Sequence, residues 1–156
     1  MLCTGNTCRS PMAEGILRSI LPAELSGQVV VRSAGTGAPQ GSPATALAIE
    51  TAAAHGIDIK SHRATLLDAE LLGESDLVLC MESAHAAAAR RLAPEASDRI
   101  QLVSRPDQGS GPDMDVQDPI GGTQAAYEKT FDRIENYLIR WLPYIREAAE
   151  RSEGVR

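Results

Sequence analysis

The stretch Cys3-Thr4-Gly5-Asn6-Thr7-Cys8-Arg9-Ser10-Pro11 carries the residue types and spacing best suited to chemistry. A cysteine and an arginine enclose five residues, of which Gly5 and Asn6 tolerate left-handed backbone. Ser10 and Pro11 read as an N-cap and first helical residue, and Ala13, Ile16, Leu17, Ile20 and Leu21 follow at helical spacing. A tight loop feeding a helix N-terminus turns its N–H groups toward one point, where the helix dipole adds positive potential. Arg9 adds a planar fork that matches two oxygens of a phosphate. A tetrahedral oxyanion is the expected guest. The same surroundings favour a thiolate at Cys3, a nucleophile lying under the bound phosphorus. An isolated cysteine is more often a small buried residue. The spacing to Arg9 and the helix start behind it favour chemistry here.

Expelling a group from phosphorus needs a proton donor. Asp118, followed by Pro119 between a long loop and a helix, is the candidate, although such a pair alone reads as a turn. A carboxylic acid ordinarily titrates near 3.9, so it must lie beside the dianionic substrate to keep its proton at neutral pH. Asp115 is the fallback acid, and Asp107 and Asp113 read as solvated loop charges. Ser10 is expected to donate to the Cys3 sulfur and help it leave phosphorus. Cys80, among apolar residues, reads as core, and His55 and His85 read as helix-surface residues. No histidine stands near cysteines or carboxylates at metal-ligand spacing, so neither metal nor cofactor is expected.

These residues need a frame. Val29 to Val31, Leu77 to Cys80 and Ile100 to Val103 read as short buried strands. Helices are predicted from Ser42-Pro43 to Gly56, from Thr65 to Gly73, from near Ser83 to before Pro94, and from Thr123 onward. Ser104 to Gln117 reads as loop, and the charged tail after Arg146 as frayed. Strands alternating with helices predict an α/β fold, a parallel sheet covered on both faces with its ligand site beyond the strands' carboxyl ends.

With 156 residues and 43% hydrophobic content the chain reads as one domain, 1–156, with a single core. A net charge of −6 argues against a nucleic-acid partner. No membrane-spanning run or signal peptide is read, and three cysteines do not suggest a disulfide framework. The cytoplasm is the expected compartment, and a monomer the expected state.

Cys3 to Glu14 resembles the phosphate-binding loop of the low-molecular-weight protein tyrosine phosphatases. Ser33-Ala34-Gly35-Thr36, Gly56-Ile57, Ser61-His62, Asp76 to Met81 and Asp118-Pro119 extend the resemblance along nearly the whole chain. It implies a three-layer fold on a four-stranded parallel sheet in order 2-1-3-4. It also implies a phosphocysteine mechanism with Cys3 as nucleophile, Arg9 and the loop residues Thr4, Gly5, Asn6, Thr7 and Cys8 binding the substrate, and Asp118 as general acid. A reversible Cys3–Cys8 disulfide and an Asn6–His62 hydrogen bond are implied as well. Phosphorylated proteins would be the substrates and inorganic phosphate the product.

Thr7 stands where tyrosine-specific members usually carry an aliphatic residue, and the resemblance associates threonine there with bacterial protein-arginine phosphatases. Gly121-Gly122 follows that subgroup too, whereas Ile120 in the pocket wall departs from it. Phosphoarginine is the preferred substrate and phosphotyrosine the alternative. An arsenate reductase would need two further cysteines close together, and after Cys8 the chain has only Cys80. A noncatalytic phosphopeptide-binding module would not need Cys3, Arg9 and Asp118 together. Only Met1 and Leu2 precede Cys3, so the first strand is expected to be largely missing and the native start to lie several residues upstream.

Overall fold

The computed structural model describes residues 1–107 and 114–153. Four strands, β1 (Leu2–Cys3), β2 (Ala34–Gly35), β3 (Val78–Cys80) and β4 (Ile100–Leu102), form a sheet in the order β2-β1-β3-β4. All the pairings are parallel, with Leu2 opposite Ala34 and Cys80, and Leu79 opposite Gln101. Although only two residues long, β1 has a neighbour on each side. Met1 and Thr4 carbonyls extend its ladder, accepting from Ala34 and Gly37 at 3.0 Å each.

Successive side chains of a strand point to opposite faces. Cys3 and Leu79 therefore face α1 (Arg9–Ile20), α2 (Ala46–Ala54) and α5 (Gln124–Glu153), in a core with Met12, Ile16, Phe131, Ile134 and Leu138. Leu2, Val78 and Cys80 face α3 (Ala69–Gly73) and α4 (Ser83–Leu92), among Leu72, Ala86, Ala89 and Ile100. Helices thus cover both faces of the sheet. The long stripe of α5 binds it down, each fully buried large apolar side chain contributing about 1.5–3 kcal/mol. Trp141 also donates its indole N–H to the Val103 carbonyl at 2.7 Å.

Several boundaries differ from expectation. The strand after α1 is Ala34–Gly35 rather than Val29 to Val31, because only the later pair lies in register with β1, and Val30 is exposed. The Ser42-Pro43 cap is replaced by Thr45, whose hydroxyl accepts from the Ala48 N–H and whose N–H binds the Thr7 carbonyl. Gly56 ends α2 as expected, with φ of 75°. Asp68 caps α3, while Thr65 to Leu67 run extended beside β2, donating to and accepting from Gly35. α5 continues to Glu153, past the expected fraying point, with an Arg151–Glu147 ion pair one turn apart. Asp107 ends a short turn, and Asp113 lies outside the described residues.

Gly35 is where the sheet meets the Cys3 loop most tightly. A Cβ there would stand 2.3 Å from the Thr4 carbonyl oxygen and 2.9 Å from the Asn6 nitrogen, both backbone atoms. Gly35→Ala is expected to lower stability by about 1–3 kcal/mol, the usual range for overpacking. Urea unfolding checks it, and an unchanged midpoint would show that the loop can move aside.

Candidate active site

The loop from Cys3 to Cys8 leads into α1, which begins at Arg9 with Cys8 in the cap position and no side-chain cap. Ser10 is not the N-cap expected from sequence. Its hydroxyl lies 2.9 Å from Cys3 Sγ and accepts from Asn6 Nδ2 at 2.7 Å, so it serves the loop rather than the helix end. The Asn6 N–H donates to Cys3 Sγ at 3.2 Å. The buried Cys3 sulfur is therefore met by a hydroxyl and by a backbone N–H.

Asn6 holds the loop in shape. It is the one non-glycine residue with positive φ among those described, at 52°. Its side chain donates to Ser10 and to Ser33 Oγ (2.9 Å) and accepts from the Thr65 N–H at 2.8 Å. His62 Nε2 lies 2.7 Å from the Asn6 carbonyl oxygen, so the implied Asn6–His62 pair is present, through the Asn6 main chain.

Arg9 is buried, and its guanidinium is partly spoken for. Nη1 donates to Glu82 and to the Val116 carbonyl (2.7 Å), and Nη2 donates to Asp118 Oδ2 at 3.2 Å. Nε is buried and has no hydrogen-bond partner among the described residues. An unpaired donor on a buried cation costs free energy unless a ligand completes it. The Nε edge is what an oxyanion with two oxygens would take. Asp118 is thereby brought to the loop from the far end of the chain, its carboxylate partly exposed. Asp115 is elsewhere engaged, accepting from the Ser83 N–H and hydroxyl at 2.7 Å each and tying the Asp118 segment to the start of α4.

The turn after Asp118 has its own backbone logic. The Gly122 N–H binds the Pro119 carbonyl at 2.9 Å, and Gly121 has φ of 74°, as the third position of a type II turn requires. A Cβ on Gly122 would sit 2.8 Å from the Pro119 oxygen. Ile120 is left exposed at the tip. Thr7 is half-buried, its hydroxyl 3.3 Å from where a Cβ on Gly5 would stand, so it folds back over the loop. Thr4 is exposed beside Cys3.

All three cysteines are free thiols. Cys8 Sγ is ringed by the hydroxyls of Tyr127 (3.3 Å) and Thr45 (3.5 Å). Burial and the Cys8 contact push the Tyr127 phenol up to about 12, so it stays a neutral hydroxyl. Burial pushes the Cys80 thiol up to about 12 as well, in keeping with a core residue. His55 is exposed, stacked on Phe131.

His85 is not the surface residue expected from sequence. It is buried in the first turn of α4, with Nε2 2.8 Å from Thr4 Oγ1 and Nδ1 3.0 Å from the Glu82 nitrogen. Burial lowers its pKa, with Arg9 adding to the effect and Glu82, Asp115 and Asp118 opposing it. Glu82 was likewise missed. Both lie right after the buried strand Leu77 to Cys80, where a parallel sheet presents its ligand site, and that position was the available signal.

A model of the family "Low molecular weight phosphotyrosine protein phosphatase" matches residues 1–151. This chain belongs to that family. It is 36% identical over 146 residues to a probable low molecular weight protein-tyrosine-phosphatase, EpsP, of Ralstonia nicotianae, covering 94% of each chain. It is 38% identical over 138 residues to a protein-arginine-phosphatase of Bacillus subtilis, covering 88% of this chain and 89% of that one. Among solved structures it resembles a cysteine-to-serine mutant of the arginine phosphatase YwlE with a phosphorylated active-site serine. The TM-score is 0.83 at 36% identity, with 93% of each chain covered. As a member of the family, the protein is a cysteine-dependent protein phosphatase that works through a phosphocysteine intermediate, and phosphorylated proteins are its substrates.

Asn6→Ala should damage fold and turnover together. Alanine at positive φ costs about 1–2 kcal/mol, and the buried partners it abandons cost about 1–3 kcal/mol more. Thermal unfolding and kcat/KM measured side by side check this; wild-type values in both would show that the loop holds itself.

Proposed function

We propose that the protein dephosphorylates phosphoarginine on proteins, with Cys3 as nucleophile, Arg9 and the loop N–H groups as phosphate cradle, and Asp118 as acid and base. In the first step Cys3 Sγ attacks phosphorus and forms an S–P bond. The bond from phosphorus to the substrate breaks, and Asp118 gives its proton to the departing nitrogen or oxygen. In the second step water attacks the phosphocysteine, Asp118 takes a proton from it, and Cys3 leaves as thiolate stabilised by Ser10 and the Asn6 N–H. Inorganic phosphate departs. The observation supporting this cradle is the buried Arg9, with three of its donors paired and its Nε–H left without a partner among the described residues.

The choice of phosphoarginine rests on Thr7. A small hydroxyl beside phosphorus suits a planar, polar phosphoguanidino group better than an aliphatic side chain would. Asp118 at the mouth, once it has given up its proton, is a carboxylate beside the departing guanidinium, which suits that leaving group. Phosphotyrosine remains the second reading because Ile120 offers an exposed apolar wall to a phenyl ring. No helix among the described residues is long and apolar enough to cross a membrane. The cytoplasm is our proposed compartment, because its reducing conditions suit a thiolate enzyme. Cys8 is the assigned partner of Cys3 in a reversible disulfide that protects the nucleophile from deeper oxidation.

Asp118→Asn is expected to slow turnover by about 10²–10⁴, the scale of general acid catalysis, most with poor leaving groups. Wild-type rates on a protein substrate would remove Asp118 from the mechanism. For the substrate, kcat/KM on phosphoarginine and phosphotyrosine peptides decides. Thr7→Ile should shift their ratio toward phosphotyrosine about tenfold, or 1.4 kcal/mol. An unchanged ratio would move specificity to Ile120.

A further inference from the structure

His85 is buried against the mouth of the site, yet neither step above uses it. Its Nδ1 accepts the Glu82 backbone N–H, so that nitrogen carries no hydrogen, and the neutral ring must carry its hydrogen on Nε2. Nε2 therefore donates to Thr4 Oγ1, 2.8 Å away. Protonation would turn an Nδ1–H against the Glu82 N–H, and burial opposes the charge as well. The tautomer is locked by the backbone.

Thr4 directly follows Cys3, and its main chain is pinned by the Gly37 N–H at 3.0 Å. With one lone pair taken by His85, its hydroxyl keeps one hydrogen and one lone pair. Neither has a partner among the described residues. Thr4 is also exposed beside Cys3, so its hydroxyl is accessible to a ligand.

We propose that His85 is a positioning residue that fixes the Thr4 hydroxyl as a polar contact for the substrate group bonded to phosphorus. A free threonine samples three staggered rotamers, and the imidazole bond selects one of them before substrate arrives. A guanidino N–H can use the open lone pair, and an ester oxygen can take the hydrogen. Thr4 thereby becomes a contact that orients the substrate, and His85 acts only through it. The inference rests on Cys3 being the nucleophile and on neither choice of substrate.

The test is a double-mutant cycle in the full chain, using whichever of the phosphoarginine or phosphotyrosine peptides the wild type hydrolyses faster. In His85→Asn the amide oxygen can replace Nδ1 for Glu82 but nothing reaches Thr4. In His85→Gln the amide nitrogen can replace Nε2 for Thr4 while the Glu82 N–H loses its acceptor. Thr4→Val and His85→Asn should each lower kcat/KM about tenfold, the double variant should fall no further than Thr4→Val, and His85→Gln should stay within about threefold of wild type. A purely structural role for His85 gives the reverse order, Asn mild and Gln severe, and overturns the proposal. So do losses that multiply in the double variant. Should His85→Asn fail to fold, Thr4→Val and His85→Gln still decide, because a wild-type rate in the first or a tenfold loss in the second overturns it. Failure of the phosphatase reading would show separately, as turnover surviving in Cys3→Ser.

Discussion

Arg9 is a buried cation, and the site is arranged around satisfying it. A charge removed from water demands paired and hydrogen-bonded surroundings. Here the partners come from the β3–α4 junction, through Glu82, and from the segment before α5, through Val116 and Asp118. Placing Arg9 at the first residue of α1 therefore draws three distant parts of the chain to one point. Asp118 is brought to the Cys3 loop by the needs of the arginine. Glu82 and Val116 take the Nη1 hydrogens and Asp118 one of the Nη2 hydrogens, which leaves the Nε–H without a partner among the described residues.

A second constraint is backbone proximity. The loop lies against β2 so closely that residue 35 has no room for a side chain, and Asn6 spans the same gap with bonds to Ser10, Ser33 and Thr65. Ser33 passes the connection on to Glu14 in α1. The Cys3 loop is thus clamped by elements that follow it in the chain, α1, β2 and the Thr65 segment. Each polar atom of Asn6 that would otherwise be unsatisfied in the interior instead fixes the geometry.

Much of this was legible in the sequence because local signals carried it. Cys3, Arg9 and the helix behind them sit within one short stretch, and the buried strands Leu77 to Cys80 and Ile100 to Val103 are dense apolar runs. What failed was competition between equivalent local signals. Ser10 looks like a cap until a thiol and an asparagine claim its hydroxyl, and Val29 to Val31 look like a strand until register with Leu2–Cys3 selects Ala34–Gly35. His85 in an alanine-rich helix reads as surface because its partner, Thr4, lies 81 residues away. Only the sheet order brings the two together.

The structure also changes the weight of one sequence clue about substrate. Gly121-Gly122 pointed toward the arginine phosphatases, yet both glycines are required by the turn itself. One has positive φ, and the other has a carbonyl where its Cβ would go. Any member needing this tight turn behind its acid meets the same demand, whatever it dephosphorylates. The pair is therefore a property of how Asp118 is mounted, also seen in the Ile120 N–H binding Asp118 Oδ1 at 3.1 Å. Discrimination in the proposed reading then falls to side chains rather than backbone. These are Thr7 folded over the loop and Ile120 at the exposed tip. Thr7 offers a hydroxyl, and a polar contact of that kind discriminates between a guanidino group and a phenyl ring more sharply than apolar contact alone.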